Sequence, residues 1–419
     1  MLDNEMVNKR LKIIFLWTSK SRFTERDLDR FGVSYFRRKG YICEIWSIHT
    51  NETPEYEYTS KMYSGEMLYE LGRKQYKVWA KKNRDSLFII FTILTVKDLN
   101  VLARNKCKYI LYGSLGAVRW VYPQGETSFI RKWSKVYKEK RFFKTLVFGV
   151  HELYCKMKNQ VDRILTPKSF PPLFVVEATK EANQVYPVYM DGCKKIYIHS
   201  LDYDRYVEVE RMKVESNRKY ILWIDSGWGF IGGQSVIKST LAKDNLDMYN
   251  RREIYFRQLK GLFEKMERHF DMPVIIAGHP HTIYDKDMYD NREFHFGRTA
   301  ELVKNAEFVM MSISTSLSLT LLWDKEILLV GDSHFRTTIT WREWGEPTCE
   351  MLGIRPFDWD NKAMKDEPWK YVAKVNSVRR KAYLDAYVDS NIPDTKDRLV
   401  VEIVEEEIRK NVMKERGCK

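Results

Sequence analysis

Short apolar runs alternate along the whole chain with amphipathic or charged stretches, and their lengths predict strands alternating with helices. Leu11–Trp17 (LKIIFLW) is a continuous apolar run of the length expected for a buried parallel strand. A polar turn, Thr18–Arg22, precedes a helix expected from Thr24, with Thr24 as N-cap and Glu25 and Asp27 in the first turn. Tyr41–Ile48 reads as a second strand. Ser86–Leu94 and Tyr109–Leu111 are further strand candidates, separated by the helix-like Val96–Asn105. Pro172–Val176 and Lys195–His199 close this half. Strands alternating with helices point to a doubly wound parallel sheet.

The pattern breaks over 201–219, a charged stretch read as a linker, and then resumes. Tyr220–Ile224 is a strand, and Arg251–Phe270 places Tyr255, Leu259, Leu262, Phe263, Met266 and Phe270 on one face of an amphipathic helix. Strands at Pro273–Ala277, Phe308–Met311 and Ile327–Val330 alternate with helices at Thr299–Asn305 and Ser314–Trp323. The fold class expected is therefore α/β, with two Rossmann-like domains facing a central cleft. Residues 1–200 form the first, 220–377 the second, and 378–419 a helical tail returning to brace the first. In open sheets of this kind, ligands sit outside the carboxyl ends of the strands.

Composition narrows the class further. A chain of 419 residues exceeds the size at which one core usually stops growing. Six scattered cysteines (43, 107, 155, 193, 349 and 418) form no CxxC pair, which suggests neither a metal site nor a redox motif. No stretch approaches the roughly 20 apolar residues of a membrane helix. The expected location is the cytoplasm, peripheral on the inner face of the membrane. A net charge of +14 calls for a polyanionic partner or surface. Nucleic acid is one candidate, but no zinc-ligand spacing, RNA-recognition signature or recognition-helix pattern accompanies the charge.

Three strand ends of the second half carry polar residues where ligands bind. After YILWI comes Asp225-Ser226-Gly227, either a simple turn or a carboxylate aimed into a cleft beside a glycine that permits close backbone approach. After PVIIA comes Gly278-His279-Pro280-His281. Proline fixes the backbone just past the strand, and a histidine so held can donate to a phosphate oxygen or protonate a leaving group. Between FVMM and the apolar helix lies Ser312-Ile313-Ser314-Thr315-Ser316, more hydroxyls than a helix cap requires, at a helix start suited to an anion.

These residues carry a resemblance. The segments from Asp225 through GHP (278–280), GRTAELVKNAEFV (297–309) and STSLSLTLLWDKEILLV (314–330) resemble the donor-binding domain of a GT-B glycosyltransferase family of bacterial capsule and O-antigen clusters, similar to the sialyltransferase and Kdo-transferase type. Segments 25–48 and 198–206 of the first half are similar to that group as well. The resemblance implies a lipopolysaccharide or capsule enzyme using a CMP-sugar, with Kdo or another ulosonic acid as the sugar. Asp225 and His279 would be the catalytic pair. Gly278, His279, Pro280, Arg298, Thr299, Glu301, Ser312, Ser314, Thr315 and Ser316 would bind the nucleotide, with Glu301 on the ribose. The acidic-acidic-glycine pattern of that group appears here as Asp225-Ser226-Gly227, with one acid replaced.

The chemistry expected follows from the donor. A nucleotide sugar carries its own leaving group, so the protein must stabilise the departing phosphate, position an acceptor hydroxyl and manage one proton. No cofactor and no metal are expected. The acceptor would be a surface polysaccharide or lipid-linked glycan. A UDP- or GDP-sugar transferase or epimerase of the same fold is the first alternative, and a basic nucleic-acid-binding protein the second; no nucleic-acid partner is expected. Residues 131–144 carry seven Lys/Arg against one Glu, interleaved with aromatic rings. Arg131, Lys132, Trp133, Lys135, Lys138, Lys140 and Arg141 would form a patch for an anionic inner-membrane surface or the acceptor, or an ordinary solvated helix face.

Overall fold

The computed structural model describes residues 11–17, 23, 25–49, 65, 67–91, 96–112, 171–179, 193–212, 218–227, 250–279, 284, 288–331, 333–337, 341–389 and 391–415. In the first half, β1 (Lys12–Trp17), β2 (Ile42–His49), β3 (Leu68–Gly72), β4 (Leu87–Ile90), β5 (Lys108–Tyr112), β6 (Val175–Glu177) and β7 (Lys195–Tyr197) form one parallel sheet, ordered β3-β2-β1-β4-β5-β6-β7. Successive side chains of a strand point to opposite faces. In β1, Ile13, Phe15 and Trp17 enter one core while Ile14 and Leu16 enter the other. A strand buried on both faces needs apolar residues at every position, which is why its sequence reads as a continuous run. Helices α1 (Glu25–Arg30) and α2 (Val33–Arg38) cover the first face; α3 (Arg73–Lys82) and α4 (Val96–Arg104) cover the second.

The second half repeats the plan. Strands β8 (Ile221–Ile224), β9 (Val274–Gly278), β10 (Phe294–Phe296), β11 (Phe308–Met311) and β12 (Glu326–Leu329) form a parallel sheet ordered β10-β9-β8-β11-β12. Helices α5 (Leu201–Met212), α6 (Arg252–Phe270), α7 (Thr299–Asn305) and α8 (Leu317–Leu322) accompany it, followed by α9 (Glu346–Leu352), α10 (Lys362–Lys365), α11 (Ser377–Tyr387) and α12 (Val400–Glu415). The apolar face predicted for α6 is buried through Tyr255, Leu259, Leu262, Phe263 and Met266. Both sheets reverse their winding at one place, between β1 and β4 and between β8 and β11. Such a reversal leaves a crevice outside the strand ends.

Two segments between the sheets differ from their sequence reading. The stretch read as a linker, 201–219, contains a helix over its first twelve residues: α5 buries Leu201 in the first core and Tyr203, Val207 and Val209 in the second. Its many charges sit on the remaining faces and masked this pattern. The tail divides its allegiance. In α11, Tyr383 and Tyr387 pack in the second core, whereas Val400, Val404 and Ile408 of α12 pack in the first. Gly32, at φ +75°, makes room for α12, because a Cβ there would lie 2.4 Å from Val401. Tyr41 donates its hydroxyl to Glu405 at 2.9 Å. The outgoing and returning chains run side by side, with His199 bridged to Asp389 and the Ser200 N–H donating to the Val388 carbonyl at 2.8 Å. Among the described residues no helix is long and apolar enough to cross a membrane.

Candidate functional site

Register places three strand ends at one height. Ile224 at the end of β8 pairs with Ala277 of β9 on one side and Met311 of β11 on the other. Asp225, Gly278 and Ser312 are therefore level, and β8 and β11 flank the crevice of the second sheet. The Asp225 N–H extends the ladder to the Ala277 carbonyl at 3.0 Å. Gly227 then turns the chain with φ 72°, a conformation that favours glycine.

Hydrogen bonds tie the ends together. Tyr284 donates its hydroxyl to the Asp225 carboxylate and accepts the His279 backbone N–H at 2.7 Å, so one phenol links the ends of β8 and β9. On the other side, Ser226 Oγ donates to the Ile313 carbonyl at 2.5 Å, and Ser312 Oγ donates to Ser226 Oγ at 3.4 Å. Asp225 is 3% exposed. Burial pushes its pKa up to about 6, opposed by hydrogen bonds from Tyr284 and from the Gly227 and Ser226 backbone. Tyr289, enclosed beside it, is pushed well above the ordinary tyrosine range by burial and then by the Asp225 charge. Asp225 is thus an enclosed anchor whose acceptor positions face protein donors.

The hydroxyl cluster is divided between capping and exposure. Helix α8 begins at Leu317 rather than Ser314, and at six residues its dipole is small. Ser314 serves the turn before it: its Oγ accepts the Ser316 N–H at 3.2 Å and its carbonyl accepts the Leu317 N–H at 3.1 Å. Thr315 is exposed and Ser316 half-buried, while Ser312 is buried in the Ser226 contact. Beside them lies a narrow, solvent-open cleft walled by Ser312, Ser314, Trp341, Trp344 and Cys349 among others. Gly331 and Gly345 clear space for the Trp341 ring, since a Cβ at either would approach it to 2.9 Å or 2.7 Å. Burial raises the Cys349 thiol to about 12, which keeps it protonated and inert.

Other expected members lie elsewhere. Glu301, in the first turn of α7, faces α5: its Oε1 is 3.6 Å from Arg205 Nη2, and its buried Oε2 has no hydrogen-bond partner among the described residues. Arg298 is exposed just before that helix and Thr299 opens it half-buried. Pro280, His281 and the basic patch from Arg131 to Lys144 lie outside the described residues. Sequence reasoning passed over Tyr284, Ser226 and the Trp341–Trp344 wall. Ser226 stood in the right motif. Tyr284 carried no signal, because only the folded β9–β10 connection brings its hydroxyl back to Asp225.

Two parallel, doubly wound sheets with winding reversals at β1/β4 and β8/β11 define a GT-B fold, two Rossmann-like domains in one chain. No protein-family model and no curated protein sequence matches the chain. Among solved structures, it is similar to the wall teichoic acid polymerase TagF soaked with CDPG, with a TM-score of 0.51 and 9% identity, covering 99% of this chain and 92% of that one. It also aligns with UDP-GlcNAc 2-epimerase of Methanocaldococcus jannaschii in complex with UDP-GlcNAc and UDP (TM-score 0.45, 11% identity, 95% and 100% covered). The calicheamicin glycosyltransferase CalG4 aligns with a TM-score of 0.47 at 10% identity, with 96% and 98% covered. At these identities the likeness concerns the fold, and the TagF comparison carries it.

Proposed function

We propose that this protein is a glycosyltransferase that takes a sugar from a nucleotide-activated donor and passes it to a glycan hydroxyl, with the donor phosphate held over the ends of β8, β9 and β11. The observation that carries the reading is the level, cross-bonded arrangement of Asp225, His279 and Ser312–Ser316 at the winding reversal of the second sheet. Thr315, exposed at the rim, and the backbone around it receive the phosphate. His279, half-buried at the end of β9, donates to it or to the departing oxygen from the other side of β8. Asp225 is a positioning residue that acts through Tyr284 and the β8 turn.

The donor we assign is a CMP-sugar of the Kdo or sialic-acid type. The support is the motif resemblance at His279-Pro280 and Ser314-Thr315; the acceptor is a surface polysaccharide or lipid-linked glycan. Thermal unfolding with CMP, UDP and GDP tests this, because a ligand bound only by the folded state raises the transition. CMP alone should stabilise the protein. Stabilisation by UDP or GDP instead moves the assignment to a transferase or epimerase of that nucleotide, and no stabilisation by any of the three refutes a donor site here. Asp225→Ala removes the acceptor that holds Tyr284 and should lower both transfer and nucleotide affinity, whereas Asp225→Asn should retain most of both; parental turnover in Asp225→Ala would refute its part.

A further inference from the structure

We infer that α3 is a docking surface, and that its partner is an anionic lipid surface. The helix reads RKQYKVWAKK, five cations and no carboxylate in ten residues. Tyr76 and Ala80 bury one side in the first-domain core. Lys74, Lys77, Lys81 and Lys82 are all exposed, and Val78 in their midst is 53% exposed. Spacings of three and four residues put Lys74, Lys77 and Lys81 on one strip about 10 Å long, with Val78 and Lys82 on the adjoining strip of the same exposed side. Arg73 lies 3.7 Å from Asp98, but among the described residues none of the four lysines has an ion pair. Within the helix itself no carboxylate interrupts the lysines; Glu70 precedes it in sequence and Asp85 follows it.

Four like charges on one face repel one another, so the arrangement lowers the stability of the isolated helix and is relieved by an external anion layer. Ammonium groups on flexible stems suit a diffuse field of headgroups, whereas forked arginines suit fixed phosphates. The stems cover apolar surface while their ends reach the headgroups, which lets Val78 meet the acyl boundary. The inference stands apart from the donor site, whose residues belong to the second domain.

Co-sedimentation of the full chain with vesicles tests it, using phosphatidylcholine alone and an equimolar mixture with phosphatidylglycerol. The parent should bind the mixed vesicles only, and less at higher salt. Near an anionic surface each lysine contributes about fivefold, so Lys74→Gln, Lys77→Gln, Lys81→Gln and Lys82→Gln together should weaken binding by hundreds of fold. Each single variant should lose about fivefold. Thermal unfolding of these variants should match or slightly exceed the parent's, because the repulsion among the lysines is relieved. Parental affinity in the quadruple variant overturns the inference, as does equal binding to phosphatidylcholine alone. Tighter binding to a single-stranded oligonucleotide than to the mixed vesicles overturns it in favour of a nucleic-acid partner.

Discussion

Replacing Asp225 by asparagine isolates the cost of one enclosed charge. The side chain keeps its size, and the amide oxygen still accepts from Tyr284, but the charge is gone. Moving from the ordinary 3.8 to about 6 corresponds to about 3 kcal/mol at 1.4 kcal/mol per tenfold. The folded carboxyl holds its proton over a range where the unfolded chain has released it. Its contribution is therefore most favourable below 3.8, declines as pH rises between 3.8 and about 6, and is lost above. Asp202, also raised to about 6 by burial, gives the parent a second contribution of the same sign. That contribution is present in both proteins and cancels in their difference. Denaturant unfolding of parent and variant across this range should show the variant gaining on the parent by about 3 kcal/mol as pH rises. A difference that does not change with pH would refute the enclosed-charge reading of the β8 turn.

Other consequences follow from named contacts. In Gly278→Ala the new Cβ would lie 2.3 Å from the Phe294 ring, itself packed among Tyr284, Tyr289 and Phe296. Such overpacking costs about 1–3 kcal/mol and should displace His279, seen as lower thermal stability and weakened nucleotide binding. Tyr284→Phe removes the bond to Asp225 and the acceptor of the His279 N–H, so nucleotide affinity should fall about tenfold in calorimetry and the Asp225 pKa should rise further. Ile408→Ala, at a site 1% exposed in the first-domain core, should cost about 2–5 kcal/mol. Hydrogen exchange should locate that loss around α12 and β1, with the β8–β11 region unchanged.

Strands buried on both faces were the most legible elements, because β1, β4, β8, β9 and β11 are nearly uniform apolar runs. The helix α6 was equally clear from its 3.6-residue period. Strands β3 (LYELG) and β10 (FHF) sit at sheet edges, where one neighbour is missing and polar residues are tolerated, so neither stands out from a loop. Helix α5 was hidden by its charges. The strand ends themselves could be placed, since each follows an apolar run directly. What the ends do to one another was not readable: Tyr284 returns to Asp225 across a span of 59 residues, and Ser226 meets Ile313 across 87. Such contacts follow from strand order, which a single sequence does not state. Glu301 illustrates the opposite outcome, a residue well placed by motif whose side chain is drawn to Arg205 of α5.

The ends of β8, β9 and β11 should receive a nucleoside phosphate, and a crystal soaked with the nucleotide that stabilises the protein measures this directly. The phosphate is expected within hydrogen-bond distance of Thr315 and its neighbouring backbone, with His279 on its far side. A nucleotide seated on the first sheet, or on the second sheet away from Asp225 and Ser312–Ser316, would contradict it.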